Sequence, residues 1–340
     1  MIDTEATFSA SALTSDRQRI LWIDIARGIG ILLVVFGHSW RGLHSAGILH
    51  DDHLFVAVDR AIYLFHMPLF FFISGYLYYG MKNKKNMLKN IRRNVYTLIY
   101  PLFVWSYFQY GIKYAAGDIV NNPVNLNDFI YAPFPPKDMF WFLWALFLIY
   151  TITHLLAKIS NNNGLLLLAV SAFTIFAPKS LYAAYIPGTF GPAIQNLPYF
   201  ALGVLLAGVG RLNVQPRMAI FAVAAFAGTE LLFAHFPVTA ARTAAATVCI
   251  LAVAVLSQVI AQYRRVDAVA AWLAILGVHS MSIYLAHVIF SSSLRIGLHL
   301  SGIQSVMLHL LLGTMAGVVG PLILYRFAVR YKTNRLLGLR

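Results

Sequence analysis

Ten apolar runs, most of them near the length needed to cross a bilayer, follow one another along the 340 residues. A spanning helix needs roughly 20 apolar residues. The sequence therefore predicts transmembrane helices at about 21–43, 61–80, 95–116, 139–158, 164–178, 194–209, 217–236, 243–261, 271–294 and 304–328. The fifth and sixth are short and bracketed by Pro178, Pro187, Pro192 and Pro198. The composition, 59% hydrophobic and 11% charged, excludes a soluble domain of this length and fits an all-α polytopic membrane protein. No repeat, low-complexity tract or independent soluble domain interrupts the runs. The expected organisation is one membrane domain over 20–328, with tails at 1–19 and 329–340. Arg17 and Arg19 before the first run, and "HSAG" after it, mimic a secretory signal. Asp24 and Arg27 inside the run argue instead for a mature helix.

Charge sets the expected orientation. The loop "MKNKKNMLKNIRRN", residues 81–94, holds six Lys/Arg and no acid. With that loop in the cytoplasm, both termini are cytoplasmic too. The cytoplasmic side then holds 18 Lys/Arg and the outer side 7, with Arg27 inside the membrane. The outer loops carry Asp51, Asp52, Asp59, Asp118, Asp128 and Asp138. This is the positive-inside pattern, so the net charge of +14 is read as topology and no nucleic-acid partner is expected. The single Cys249 excludes an intrachain disulfide and a cysteine metal site.

The first run, "WIDIARGIGILLVVFGHSWRGL", carries polar groups on one stripe. At 100° per residue Asp24, Arg27, Ile31, Val35, His38 and Gly42 share a face. Asp24 and Arg27 are three apart and able to pair. His38 lies roughly 16 Å further along the axis, in the outer half. Charge in hydrocarbon costs at least ~2.5 kcal/mol per group, so such residues usually face a protein interior or a wet cavity. His66, in "YLFHMPLFFFISGYLYY", lies at a similar depth on the second helix. His287 and Glu230 also fall in the outer half. Titratable groups converging at one depth point to a reaction centre or a proton path, and spacing alone does not separate the two.

The chain resembles the membrane acyltransferase-3 family. The segments that match in order are "RILWIDIARGIGILLVVFGHS", "FHMPLFFFISGYLYY", "IRRNVYTLIYP", "FWFLWALFLIY", "LPYFALGVLL" and "SMSIYLAH". Arginine, ten residues, then histidine, at Arg27 and His38, is the family's most characteristic signature. The "FHMP" form is similar to the fucose and exopolysaccharide O-acetyltransferase branch. The resemblance implies an acyl-CoA donor, usually acetyl-CoA, loaded from the cytoplasm, with no permanently bound cofactor. It implies a hydroxyl acceptor on a glycan or lipid-linked saccharide at the outer face, and residence in the inner membrane. It makes His38 the catalytic histidine, as base or acyl carrier, and Arg27 its partner. Arg92 and Arg93 match the family's basic pair before the third helix. With the chain ending at Arg340, acceptor recognition is expected to fall to the outer loops.

Chemistry agrees with that assignment. A hydroxyl attacking a thioester must lose its proton, and an imidazole titrates near neutral pH. His66, Tyr284 or a backbone N–H is expected to stabilise the oxyanion. Arg92, Arg93, Lys85 and Lys89 are suited to CoA phosphates. Candidate catalytic residues are therefore His38, Arg27, Asp24 and His66. Candidate substrate-binding residues are Arg92, Arg93, Glu230, Tyr284 and His287, and no metal site is expected. The expected partners are acyl-CoA, the saccharide acceptor and the bilayer, with a homo-oligomer or polysaccharide-assembly complex as a further partner. Two rival classes remain, a proton-coupled secondary transporter and a non-catalytic partner in polysaccharide assembly or export. Ser74 and Gly75 are read as allowing close helix approach. The Trp141, Phe142 and Trp144 cluster is read as interfacial packing.

Overall fold

The computed structural model describes residues 3–79, 87–136, 138–159, 164–176, 186–210, 214–235, 239–263 and 267–339. Lys82, Lys84 and Lys85 of the basic loop lie outside them, as do the predicted span ends at 80, 178 and 236. The described residues form helices and no strand: α1 Asp3–Ser45, α2 Asp52–Tyr79, α3 Met87–Asn94, α4 Tyr100–Ala116, α5 Trp141–Ile159 and α6 Gly164–Phe176. They continue with α7 Gly191–Val209, α8 Arg217–His235, α9 Thr239–Tyr263, α10 Ala268–Val278, α11 Ser280–Leu300 and α12 Val306–Arg330. Among the described residues, seven helices are long and apolar enough to cross a membrane.

Two predicted spans have a different internal structure. The run 271–294, expected as one helix, is divided at His279, where φ −93° and ψ 12° leave the α-helical basin. Asp267 caps the first piece by accepting from the Val269 N–H. The run 95–116 opens with a π-helical turn, Val95–Ile99, in which the Tyr100 N–H bonds to the Val95 carbonyl. Pro101 follows one residue later and has no N–H to give, so the wider register sits where the α pattern loses a donor. Expected as tails, the ends also carry structure. The helix of α1 begins at Asp3, and the segment after α12 docks on α4. There Tyr100 Oη donates to the Leu336 carbonyl at 2.7 Å and Trp105 Nε1 to the Leu337 carbonyl at 2.8 Å.

At the centre, α1 touches α2, α9, α10, α11 and α12. Lipid tails are as apolar as a protein core, so helix association here relies on close fit. Two crossings provide it. A Cβ at Gly28 would fall on the Leu273 carbonyl, and one at Gly277 on the Asp24 carbonyl, so α1 and α10 meet backbone to backbone. Likewise Gly75 of α2 abuts the Phe200 carbonyl and Gly203 of α7 abuts the Phe72 carbonyl. Gly75 thus has the close-approach role read from the sequence. Around these crossings Ile25, Phe71, Phe72, Leu143, Phe200 and Ile283 form a continuous buried core.

Glycine at these crossings is testable. Gly277→Val should open the α1–α10 contact and destabilise the protein by about 1–3 kcal/mol or more, the usual cost of overpacking. Gly111 of α4 has nothing within 4 Å of an added Cβ. Gly111→Ala should therefore leave stability unchanged or raise it by about 0.5–1 kcal/mol. Thermal unfolding in detergent measures both.

Candidate active site

Helices α1, α2 and α11 bring the site together. His38 comes from α1, His66 from α2 and His287 from α11. The His38 and His287 ring centroids lie 5.1 Å apart. Tyr63 meets two of the three rings edge-on, at 4.5 Å from His66 and 6.4 Å from His38. His66 and His287 are buried, at 1% and 0% exposure, while His38 keeps partial exposure. That surface faces a cavity of about 500 Å³ lined by all but His287 of these residues, and by Gln109, Tyr284 and Arg295. The convergence of three histidines at one depth, expected from the sequence, is thus the geometry of the protein.

Their hydrogen bonds decide the tautomers. His66 Nδ1 lies 2.7 Å from the Ile62 carbonyl. His287 Nδ1 lies 3.1 Å from the Ile283 carbonyl and 2.8 Å from that of Tyr284. A carbonyl only accepts, so each Nδ1 carries the proton and each Nε2 is left with a lone pair. Nε2 of His287 is buried without a partner. His38 makes no hydrogen bond among the described residues, so both of its ring nitrogens are free for a molecule in the cavity, whereas His66 offers only its Nε2 lone pair.

Charged groups surround the cavity. Arg41 grips Asp59 through two bonds, at 2.5 and 2.8 Å, and its guanidinium lies 3.2 Å from the Tyr63 ring centre. Lys113 Nζ donates to Asp138 at 2.6 Å. Behind His38 a smaller pocket is lined by Ser39, Ser291, Arg295, His309 and Gly313. His309 Nε2 donates to the Ile303 carbonyl at 2.8 Å, leaving Nδ1 buried and unpartnered.

The other candidates separate into distinct places. Asp24 and Arg27 form the expected pair at 3.8 Å, remote from the cavity. Tyr150 of α5 lies within electrostatic range of both Arg27 and Arg93 and is bonded to Ser74. The same end holds Tyr78, whose hydroxyl meets His154 Nδ1 at 3.0 Å. Arg92 and Arg93 are exposed on α3, with Arg92 5.8 Å from the Tyr96 ring centre. Glu230 does not join the histidines. It accepts from Cys249 Sγ at 3.7 Å across the α8–α9 contact and is absent from the cavity wall. The face of α8 that carries Glu230 is turned toward α9. Tyr284 lines the cavity, yet its hydroxyl proton goes to the Met139 carbonyl, so it is not a free oxyanion donor. His66 is likewise unable to donate from Nε2 in its tautomer.

Arg41, Tyr63, Gln109, Arg295 and His309 were not singled out in the sequence as site residues. One signal was present for Arg295. His287, Ser291 and Arg295 recur every four residues, so they share the face of α11 that carries His287.

An acyltransferase fits this arrangement, and sequence comparison gives the class directly. The acyltransferase-3 profile, described as an acyltransferase domain, matches residues 20–326, and the chain belongs to that family. Among curated proteins, it is 28% identical over 205 residues to the nodulation protein NolL of Mesorhizobium japonicum, covering 58% of this chain and 50% of that one. NolL of Sinorhizobium fredii is 29% identical over 205 residues, covering 58% and 51%. The inner membrane protein YcfT of Escherichia coli is 24% identical over 209 residues, covering 55% and 56%. The matches thus span about half the length of these relatives. No solved structure matches the chain.

If the Tyr284 hydroxyl serves to tie α11 to Met139, Tyr284→Phe should strand a buried carbonyl. Stability should fall by about 1–3 kcal/mol, read from the unfolding midpoint in detergent.

Proposed function

We propose that the protein is an inner-membrane O-acyltransferase. It moves an acyl group, acetyl in the first instance, from acyl-CoA to a hydroxyl of a glycan, exopolysaccharide or lipid-linked saccharide. One observation carries the reading: of the two histidines that line the cavity, His66 is tied through Nδ1 to its own helix, and the one with no bond to the described protein is His38, the histidine of the Arg27–His38 signature.

In the reaction, the free ring nitrogen of His38 takes the acceptor's hydroxyl proton as that oxygen attacks the thioester carbonyl. A C–O bond forms, the tetrahedral centre collapses and the C–S bond breaks. His38 then returns its proton to the departing CoA sulfur. The unpartnered Nε2 of His287 is an acceptor for the N–H of protonated His38, which stabilises the imidazolium. Gln109 Nε2 uses one proton on the Leu285 carbonyl at 3.4 Å, and its second is available for the oxyanion. At the opposite end, Arg27, Arg92 and Arg93 suit the phosphates and polar arm of CoA. The roughly 16 Å from Arg27 to His38 is a distance for the donor's extended arm to cover.

His38→Ala should leave folding intact and lower acyl transfer by roughly 10²-fold or more, measured with labelled acetyl-CoA and membrane glycans. Near-normal transfer would remove the central assignment.

Donor binding has a separate signature. Phosphate contacts are remote from the reacting carbon, so their energy is shared by ground and transition states. Arg92→Gln and Arg93→Gln should raise KM for acyl-CoA by roughly 10- to 100-fold with little change in kcat. The Lys variants keep the topology-determining charge but lose the planar fork, and should show part of the same defect. Wild-type KM in all four would reduce this pair to a topology signal.

A further inference from the structure

Three cations line the cavity: Arg41, Lys113 and Arg295. Two are already matched, Arg41 by Asp59 and Lys113 by Asp138. Arg295 has no acid and no hydrogen-bond partner among the described residues, although it is only 8% exposed. A guanidinium buried without a counter-charge is costly, and folds rarely keep one without a use.

Its surroundings form a seat. Arg295 stands between the large cavity and the smaller pocket behind His38 and lines both. Gly42 gives it room: a Cβ there would lie 3.6 Å from Arg295 Nε, so a longer side chain would press on the guanidinium. Gly42 is one helical turn beyond His38 on the same stripe of α1. Arg295 Nε is therefore level with a point about one turn, roughly 6 Å, beyond the reacting histidine along α1. That offset is comparable with the width of a sugar ring.

We propose that Arg295 is an anion-binding site for the acceptor, recognising a carboxylate or phosphate carried by the saccharide whose hydroxyl meets His38. This rests on the acyltransferase reading above and narrows its acceptor to an acidic one. The guanidinium fork matches either anion with two parallel N–H bonds. Arg41 is excluded from the role because Asp59 occupies its fork. Lys113 is excluded because Asp138 neutralises it.

The test uses the purified protein in detergent with CoA at saturation, so that phosphates do not report on the donor site. Dissociation constants are measured by thermal shift for methyl glucuronide, glucose 6-phosphate and neutral methyl glucoside. At least one charged sugar should bind about tenfold or more tightly than the glucoside. Preference for the glucuronide alone assigns a uronate acceptor, and preference for the phosphate alone a phosphorylated one. Arg295→Gln should bring the charged and neutral constants together, and Arg295→Lys should keep part of the difference. Equal binding of all three sugars by the wild type, or no binding of any, overturns the proposal without recourse to a variant. A preference that survives Arg295→Gln overturns it as well. Failure of the wider reading looks different, because transfer from acetyl-CoA would then be indifferent to His38→Ala. Transfer that needs His38 but ignores acceptor charge sinks the anion site alone.

Discussion

In hydrocarbon an apolar side chain gains little by leaving lipid for protein, so the register of these helices depends on backbones that touch. The contacts of Gly28 and Gly277 lock α1 against α10, and those of Gly75 and Gly203 lock α2 against α7. Everything chemical in the cavity is measured from these points. His38 is ten residues beyond Gly28, or roughly 15 Å along α1, and His66 is nine residues before Gly75 on α2. Gly277 leads within ten residues to His287. A slip of one residue at any crossing would turn one of the rings by about 100° away from the others.

The polar groups fall into two separate clusters, an arrangement that on the proposed reading would serve two substrates of different character. Around Tyr150 gather Arg27 and Arg93, exposed or half-exposed cations beside the basic segment. At the other end the cations are mostly spent on acids, and His38 and His66 line a cavity whose walls mix apolar and polar side chains. The π-turn at Val95–Ile99 lies between the arginine pair and α4 and sets how that pair is presented to the rest of the bundle.

Depth was readable in the sequence, and direction around the helix axis was not. Counting residues from the ends of antiparallel spans put His38, His66 and His287 at one level, and they meet. The same count put Glu230 at that level, but which face of α8 turns inward depends on α9, and Cys249 takes the carboxyl. Nor does sequence tell where a hydroxyl points. Tyr284 lines the cavity as expected, yet its proton is given to Met139, 145 residues away in the short 3₁₀ turn before α5. Arg295, just beyond the predicted span that ends at 294, falls among the seven outer-side cations of the sequence reading, whereas it is buried beside Gly42 of another helix. The break at His279 is similarly tertiary, because "AWLAILGVHSMSIYLAH" reads as one apolar run until Gly277 has to meet Asp24.

The fixed rings of His66 and His287 bear on regiochemistry. Each is tied through Nδ1 to a carbonyl of its own helix, so neither can turn to meet an incoming molecule. Together with Tyr63 they pack around His38, His287 at 5.1 Å and Tyr63 at 6.4 Å between ring centres, and restrict how a hydroxyl can reach it. On the proposed reading, a saccharide anchored in the cavity would present few of its hydroxyls to His38 at a reacting angle and distance. The choice among chemically similar positions on a sugar would then be made by helix packing deep in the bundle, and substitutions in the surface loops would alter affinity before they altered the position modified.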